Sequence, residues 1–209
     1  RGVPRRVSVN EYPGVAPRMT ESEAGFLESM AEMMAYYCHG DFAEVGVYQG
    51  GSAILMGLHS KGRRLHLFDT FRGNPPELRQ PWELPRWDES HRCSLARVKQ
   101  NMDEWSMGDE AVYHVGDIQD TQVEVSGYFS LIHIDVDLYV PTLVALRCFW
   151  PRLEDAGGRI VVHDYQHPEV EGVTRAVEEF CAESGAVAIQ VSTPGNIGQA
   201  LLQKGEVLT

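Results

Sequence analysis

No stretch of this chain approaches the ~18–20 consecutive apolar residues of a membrane-spanning helix, and no signal-peptide pattern is visible. Positive charge is scarce: 18 Lys and Arg stand against 30 Asp and Glu, a formal net charge of −12. That balance argues against a nucleic-acid backbone or an anionic membrane as partner, and suits a neutral or cationic small molecule. Cysteines are few. Cys38, Cys93, Cys148 and Cys181 are far apart, with no C-x-x-C and no zinc spacing. They read as reduced, mostly buried thiols of a cytoplasmic protein. Repeats and internal linkers are also missing, so the 209 residues are expected to form one domain with a full core. The chain opens at Arg1 rather than methionine, consistent with a missing or processed upstream segment.

What is present is an alternation of apolar strands and amphipathic helices. Residues 1–18, basic and carrying Pro4, Pro13 and Pro17, read as an N-terminal arm, and 19–209 as the domain proper. Thr20 with Glu21 and Glu23 marks a helix start, followed by Phe26, Leu27, Met30, Met33 and Met34 as a core face. Short strands are expected at 41–45, 64–69, 111–115, 128–134, 159–162, 187–191 and 197–203, with helices at 52–60, 89–105, from Pro141 onward, and 169–184. The pattern predicts a doubly wound α/β fold with a seven-stranded, mostly parallel sheet whose last strand is antiparallel. Residues 74–92 break the alternation. Pro75, Pro76, Pro81 and Pro85 oppose a regular element there, and Trp82 and Trp87 supply apolar area. This segment reads as a lid over the strand ends, or as a loop anchored by its tryptophans.

The chain is organised around Glu44-Val45-Gly46-Val47-Tyr48-Gln49-Gly50-Gly51-Ser52, where a strand hands over to a helix through a glycine turn. The spacing E-x-G-x-x-x-G-G is not the G-x-G-x-x-G of pyrophosphate sites, which disfavours a nicotinamide dehydrogenase. It is the arrangement by which class I methyltransferases hold S-adenosylmethionine, with Glu44, Gly46, Tyr48, Gly50 and Ser52 as candidate donor-binding residues. Asp69 lies 25 residues after Glu44 at the end of the next strand. A carboxylate there can accept from both ribose hydroxyls, with Thr70 and Phe71 beside it, or it can serve only as a turn residue. Asp117, after the third strand, either accepts from the adenine amino group or caps the next helical turn.

Ligands of an open parallel sheet bind beyond the carboxyl ends of its strands. The fourth strand runs into Asp135 and Asp137, the fifth into His163 and Asp164. Carboxylates and an imidazole packed together need compensating charge, and a divalent metal held by Asp135, His163 and Asp164 would supply it. Oxygen ligands suit magnesium or calcium, whereas a histidine nitrogen shifts preference towards manganese, iron or zinc. Without a metal, His163 and Asp164 form a hydrogen-bonded pair, and Asp137 can be a helix cap. His133 reads as a satisfied strand histidine, and His91 and His167 as possible pocket residues.

The sequence resembles the macrocin O-methyltransferase (TylF/MycF-type) family of S-adenosylmethionine-dependent enzymes, which methylate sugar hydroxyls on natural products. The resemblance runs from about residue 20 to 203. It rests on the glycine turn, Leu67-Phe68-Asp69-Thr70-Phe71-Arg72-Gly73, Ile132-His133-Ile134-Asp135-Val136-Asp137-Leu138-Tyr139 and Gly157-Gly158-Arg159-Ile160-Val161-Val162-His163-Asp164-Tyr165. It implies Asp135 and Asp164 as metal ligands, magnesium as the metal, Asp137 as general base, Asp135 also beside the donor, and a homodimer. The family usually has Asp-Asp-Tyr where this chain has His163-Asp164-Tyr165. Either His163 becomes a metal ligand or the metal is lost and His163 is the base. The expected activity is therefore metal-assisted O-methylation of a small natural product. The alternatives are metal-independent methylation of a phenol, carboxylate or nitrogen, and a non-catalytic S-adenosylmethionine-binding scaffold.

Overall fold

In chain order the elements are α1 (Glu21–Tyr37), β1 (Asp41–Val45), α2 (Gly51–Gly57), β2 (Leu65–Asp69), α3 (Leu95–Glu104), β3 (Ala111–Val115), α4 (Ile118–Thr121), β4 (Phe129–Ile134), α5 (Tyr139–Phe149), β5 (Arg159–His163), α6 (Glu171–Ser184), β6 (Ala188–Val191) and β7 (Gln199–Gln203). They are taken from a computed structural model that describes residues 19–84, 91–191 and 198–204. The expected arm 1–18, Pro85 and Trp87 of the expected lid, and the first residue of the expected last strand lie outside the described residues.

The strands form one seven-stranded sheet in the order β3-β2-β1-β4-β5-β7-β6. β1 to β5 pair in parallel, and β7 runs antiparallel to both β5 and β6, as the sequence predicts. Strand order reverses between β1 and β4, so the cleft of a doubly wound fold belongs at their carboxyl ends. All six residues of β4 are buried, as a central strand covered on both faces requires. Alternation along the strands deals side chains to two apolar layers. Ile132, Ile134, Ile160 and Val162 pack with Leu146 and Phe149 of α5 and Val177 and Phe180 of α6. Leu131, Val161 and Phe42 pack on the other face with Leu27 and Met34 of α1, Ile54 of α2 and Val98 of α3.

Three expectations are corrected. The buried stripe of α1 is Ala24, Leu27, Ala31, Met34 and Ala35, while Phe26, Met30 and Met33 sit only half-buried at its border. Alanines bring the helix axis close to the sheet, where larger side chains would hold it off. α3 begins at Leu95 rather than Glu89, because the Ser94 side chain accepts from Arg97 N and caps it there. The proline-bearing segment contains one short 3-10 turn, Pro76–Leu78. Cys38, Cys93 and Cys148 are buried, Cys181 is half-buried, and all four are free thiols. Among the described residues no helix is long and apolar enough to cross a membrane.

Candidate active site

The cleft starts where β1 ends. Asp135 N donates to Val45 O at 2.8 Å and Gly46 N to Phe68 O at 2.9 Å, so the first glycine is held between both neighbouring strands. Gly46 has φ +90, and a Cβ there would fall 1.9 Å from Asp135 O. Only glycine lets the two strand ends close this tightly. Gly50, also left-handed at φ 87, is the N-cap of α2. Asn101 of α3 braces the loop from outside, its Nδ2 donating to Gln49 O at 2.8 Å.

Asp69 holds the same loop from within. Its Oδ2 accepts from Val47 N at 2.7 Å and Tyr48 N at 3.0 Å, and its Oδ1 from Phe71 N at 2.6 Å. Burial nonetheless pushes its pKa up against these three donors. Thr70 Oγ1 donates to Gly73 O at 2.8 Å and closes the following turn. Asp117 caps α4, with Oδ1 accepting from Gln119 N at 2.9 Å. These contacts shape a cleft of about 290 Å³, at the lower edge of the ~300–1,000 Å³ typical of small-ligand pockets.

Gly46, Tyr48, Ser52, Asp69, Thr70, Asp117, Asp135, Asp137, His163 and Asp164 all line this one cleft, and His91 and His167 line it too. Glu44, Gly50 and Phe71, also expected beside the donor, lie next to this lining in the chain rather than in it. Glu44 is fully buried in the sheet, its Oε1 bonded to Nδ1 of His133 at 2.8 Å. Burial raises its pKa, with His133 opposing. The glutamate thus seals the floor beneath the glycine turn. His133 is only half satisfied, since its Nε2 has no partner among the described residues.

The far wall is built by β4 and β5. Ile134 pairs with Val162, so Asp135 and His163, one step further on, arrive side by side. Nδ1 of His163 lies 3.2 Å from Oδ1 of Asp164 and 3.4 Å from Oδ1 of Asp135. One candidate ligand atom from each of Asp135, His163 and Asp164 falls within 4.8 Å of the others. Asp137 and Asp164 both have φ 60, a left-handed conformation that turns the chain sharply after each strand.

Charge in this wall is poorly compensated. Burial favours neutral His163, but the Asp135 carboxylate, with Asp164 and Glu23, outweighs it and holds the imidazole pKa well above its ordinary value. Burial likewise raises Asp135, yet the facing His163 brings it below the usual carboxylate range. Asp137 has no such partner. Burial, then the charges of Asp135 and Asp164, push its pKa well up, while Nδ2 of Asn74 donates to its Oδ2 at 3.1 Å.

Two residues of this wall escaped the sequence reading. Asn74 is a single amide in an irregular segment and carries no sequence signal. Glu23 does carry one: Thr20-x-x-Glu23 is a capping box. One oxygen of its carboxylate serves that box, and the other faces His163, which the pattern does not reveal.

The sequence matches the family described as macrocin O-methyltransferase (TylF) over residues 3–191. The chain belongs to this family. A curated relative is the 8-demethyl-8-(2,3-dimethoxy-alpha-L-rhamnosyl)-tetracenomycin-C 4'-O-methyltransferase of Streptomyces olivaceus, 32% identical over 159 residues. The match takes in 70% of this chain and spans 59% of the length of that relative. Among solved structures, the O-methyltransferase NovP superposes with a TM-score of 0.76 at 20% identity, covering 91% of this chain and 84% of that one. The O-methyltransferase TomG from Streptomyces achromogenes, involved in tomaymycin synthesis and solved in complex with SAM, superposes at 0.65 and 16% identity, covering 98% and 92%. At these identities the structures establish the methyltransferase-type fold of this TylF-family chain.

Proposed function

We propose that this TylF-family chain transfers the methyl group of S-adenosylmethionine to a hydroxyl of a small natural product, with a divalent metal held by Asp135, His163 and Asp164. The observation that carries the proposal is one cleft holding both parts. The glycine turn lies on one wall, and on the other three ligand atoms sit within 4.8 Å of one another. Membership of the TylF family and the methyltransferase names of its relatives support the same reading.

The residues suit each group. Gly46, Tyr48, Ser52, Thr70 and Asp135 line the space for the donor, and Asp69 keeps about one acceptor site beyond its three backbone bonds, enough for one ribose hydroxyl. Asp117, already a helix cap, has its side chain at the same cleft for the adenine end. For the metal, the buried Nδ1 of His163 has no hydrogen-bond partner among the described residues and is flanked by two carboxylate oxygens. One nitrogen and two oxygens fit manganese, iron or zinc better than magnesium.

A divalent ion bound there would lower the pKa of an acceptor hydroxyl, which is otherwise a poor nucleophile. The cleft walls hold hydroxyl and methyl carbon in line. In the transfer the S–CH3 bond breaks as the O–CH3 bond forms, the sulfonium becomes a neutral thioether, and the hydroxyl proton passes to Asp137. Burial is the first cause of the raised Asp137 pKa; compensating the charges of Asp135 and Asp164 would remove the next part and so favour the carboxylate form that accepts the proton.

A second reading, transfer without a metal, is favoured by the surrounding carboxylates, which raise the His163 pKa well above its ordinary value and so favour the imidazolium. The imidazolium would then be the compensating cation. It has no lone pair, so Asp137 rather than His163 would still be the base. Calorimetric titration of S-adenosylmethionine, then magnesium, manganese and zinc, into wild type and Asp164→Ala separates the readings. Donor binding with metal binding lost in the variant supports the first. Donor binding indifferent to every metal supports the second, and no donor binding removes both.

A further inference from the structure

We propose that Glu23, from the first turn of α1, is the positioning residue that presents Nδ1 of His163 to the metal. The inference rests on the metal-assisted reading above and extends the site to an element outside the strand ends.

An imidazole ligates a metal through one nitrogen and must place the proton of the other. In metal sites that second N–H is characteristically donated to a carboxylate or carbonyl, which sets both tautomer and ring orientation. His163 has this arrangement in outline. Its Nδ1 points between Asp135 and Asp164, and its Nε2 points away from them, 3.7 Å from Oε1 of Glu23. Among the described residues neither ring nitrogen has a hydrogen-bond partner, and neither does Oε1 of Glu23. Glu23 is 1% exposed and His163 5%, so water is largely excluded from the pair. A buried carboxylate oxygen without a donor is costly, and Nε2–H is the donor that faces it.

The position of Glu23 is fixed from its other side. Its Oε2 accepts from Thr20 N at 2.7 Å and Thr20 Oγ1 at 2.9 Å, while Glu23 N donates back to Thr20 Oγ1 at 3.3 Å. The capping box leaves one oxygen to spare and aims it into the core. Oε1 thus fixes the tautomer with the proton on Nε2 and leaves the Nδ1 lone pair for the ion. The two remaining ligands are carboxylates and need no such help. Loss of Glu23 therefore acts on the histidine ligand alone.

The test is metal affinity, not turnover. Cobalt(II), whose visible spectrum reports nitrogen ligation, is titrated into the full chain as wild type, Glu23→Gln, Glu23→Ala and Thr20→Ala. Glutamine can keep its oxygen on Thr20 and then offers an N–H to His163, favouring the wrong tautomer. The expected result is a 10–100-fold weaker cobalt affinity and an altered spectrum in both Glu23 variants, about the size seen when such outer partners are removed. Thr20→Ala keeps the backbone Thr20 N–H on Oε2 and loses only the hydroxyl, so it should weaken cobalt binding clearly less than either Glu23 variant, and S-adenosylmethionine affinity should hold throughout. Wild-type affinity and spectrum in Glu23→Gln would overturn the role of Glu23 and leave the metal reading standing. Equal weakening in Thr20→Ala would overturn it too, because the effect would then run through the helix cap. A wild type that binds none of cobalt, manganese or zinc removes both readings. Should the Glu23 variants fail to fold, nitrogen-15 NMR of zinc-loaded wild type decides: Nδ1 metallated with a proton on Nε2 supports the role, and Nε2 ligation overturns it.

Discussion

The two walls of the cleft are built on opposite principles. On the β1–β2–β3 side the groups that shape the glycine loop are mostly held by hydrogen bonds: Asp69 takes three backbone N–H groups, Asn101 ties down Gln49 through Nδ2 although its Oδ1 has no partner among the described residues, and Asp117 caps α4. On the β4–β5 side both nitrogens of His163 and one oxygen of Glu23 lack hydrogen bonds among the described residues, and burial with neighbouring carboxylates holds the Asp137 pKa well up. A wall whose shaping groups are largely hydrogen-bonded is close to its final shape before a ligand arrives. An unsatisfied one gains most when something charged enters it, the signature expected of the reacting side. Glu44 and His133 lie buried between the two walls and keep them at a fixed spacing.

The comparison can be broken most directly at Asp137. Asp137→Asn should lower kcat by about 10²–10⁴-fold, the usual worth of a general base, while donor affinity measured by calorimetry stays put. A fall of less than about tenfold would make the residue a turn former only. Gly46→Ala attacks the seam shared by both walls. With φ +90 and a Cβ 1.9 Å from Asp135 O, it should cost about 3–4 kcal/mol in urea unfolding, or prevent folding. Asp69→Ala tests whether the paired wall is as structural as it looks. Leaving three backbone donors without their acceptor should cost about 2–3 kcal/mol and weaken S-adenosylmethionine binding, with little effect on metal affinity.

A smaller effect should appear in the pH dependence of the metal-free protein. The native pKa of His163 is raised, chiefly by Asp135, against the opposing pull of burial. Its contribution to stability is therefore full below the unfolded value of ~6.5 and is lost as pH rises through the raised native value. The difference between the wild-type and His163→Gln stability curves should decline over that window. A flat difference would mean the imidazole is not charged in the fold. The smallest effect is expected in the proline-bearing segment after β2. Glu83 Oε1 accepts from Tyr139 N at 2.7 Å at the start of α5, so Glu83→Ala should cost about 1 kcal/mol in thermal unfolding.

Much of this site was readable before any coordinates. Strands ending in acids, with a glycine turn after the first, place Asp69, Asp135, Asp137, His163 and Asp164 at one end of a parallel sheet, because the topology sends every strand's carboxyl end the same way. Boundaries were less legible where a cap competes with helical pattern, as Ser94 does at α3. The sequence pattern places Leu27 and Met34 of α1 in the core, but it does not show that Ala24, Ala31 and Ala35 complete the buried stripe while Phe26, Met30 and Met33 pack at its border. The motif marks Glu44 as a donor-binding candidate but carries no sign of its buried bond to His133 on the neighbouring strand.

Elements, their order and the acids at strand ends are written in patterns a few residues long, set by backbone period and glycine conformation. The sequence determined those. Which carboxylate meets which imidazole depends on how a helix settles on a sheet, and Glu23 and His163 are 140 residues apart. Asn74 reaches Asp137 across 63 residues. Such contacts form only when two apolar layers close on the sheet and leave these polar groups facing each other, so tertiary packing alone decided them.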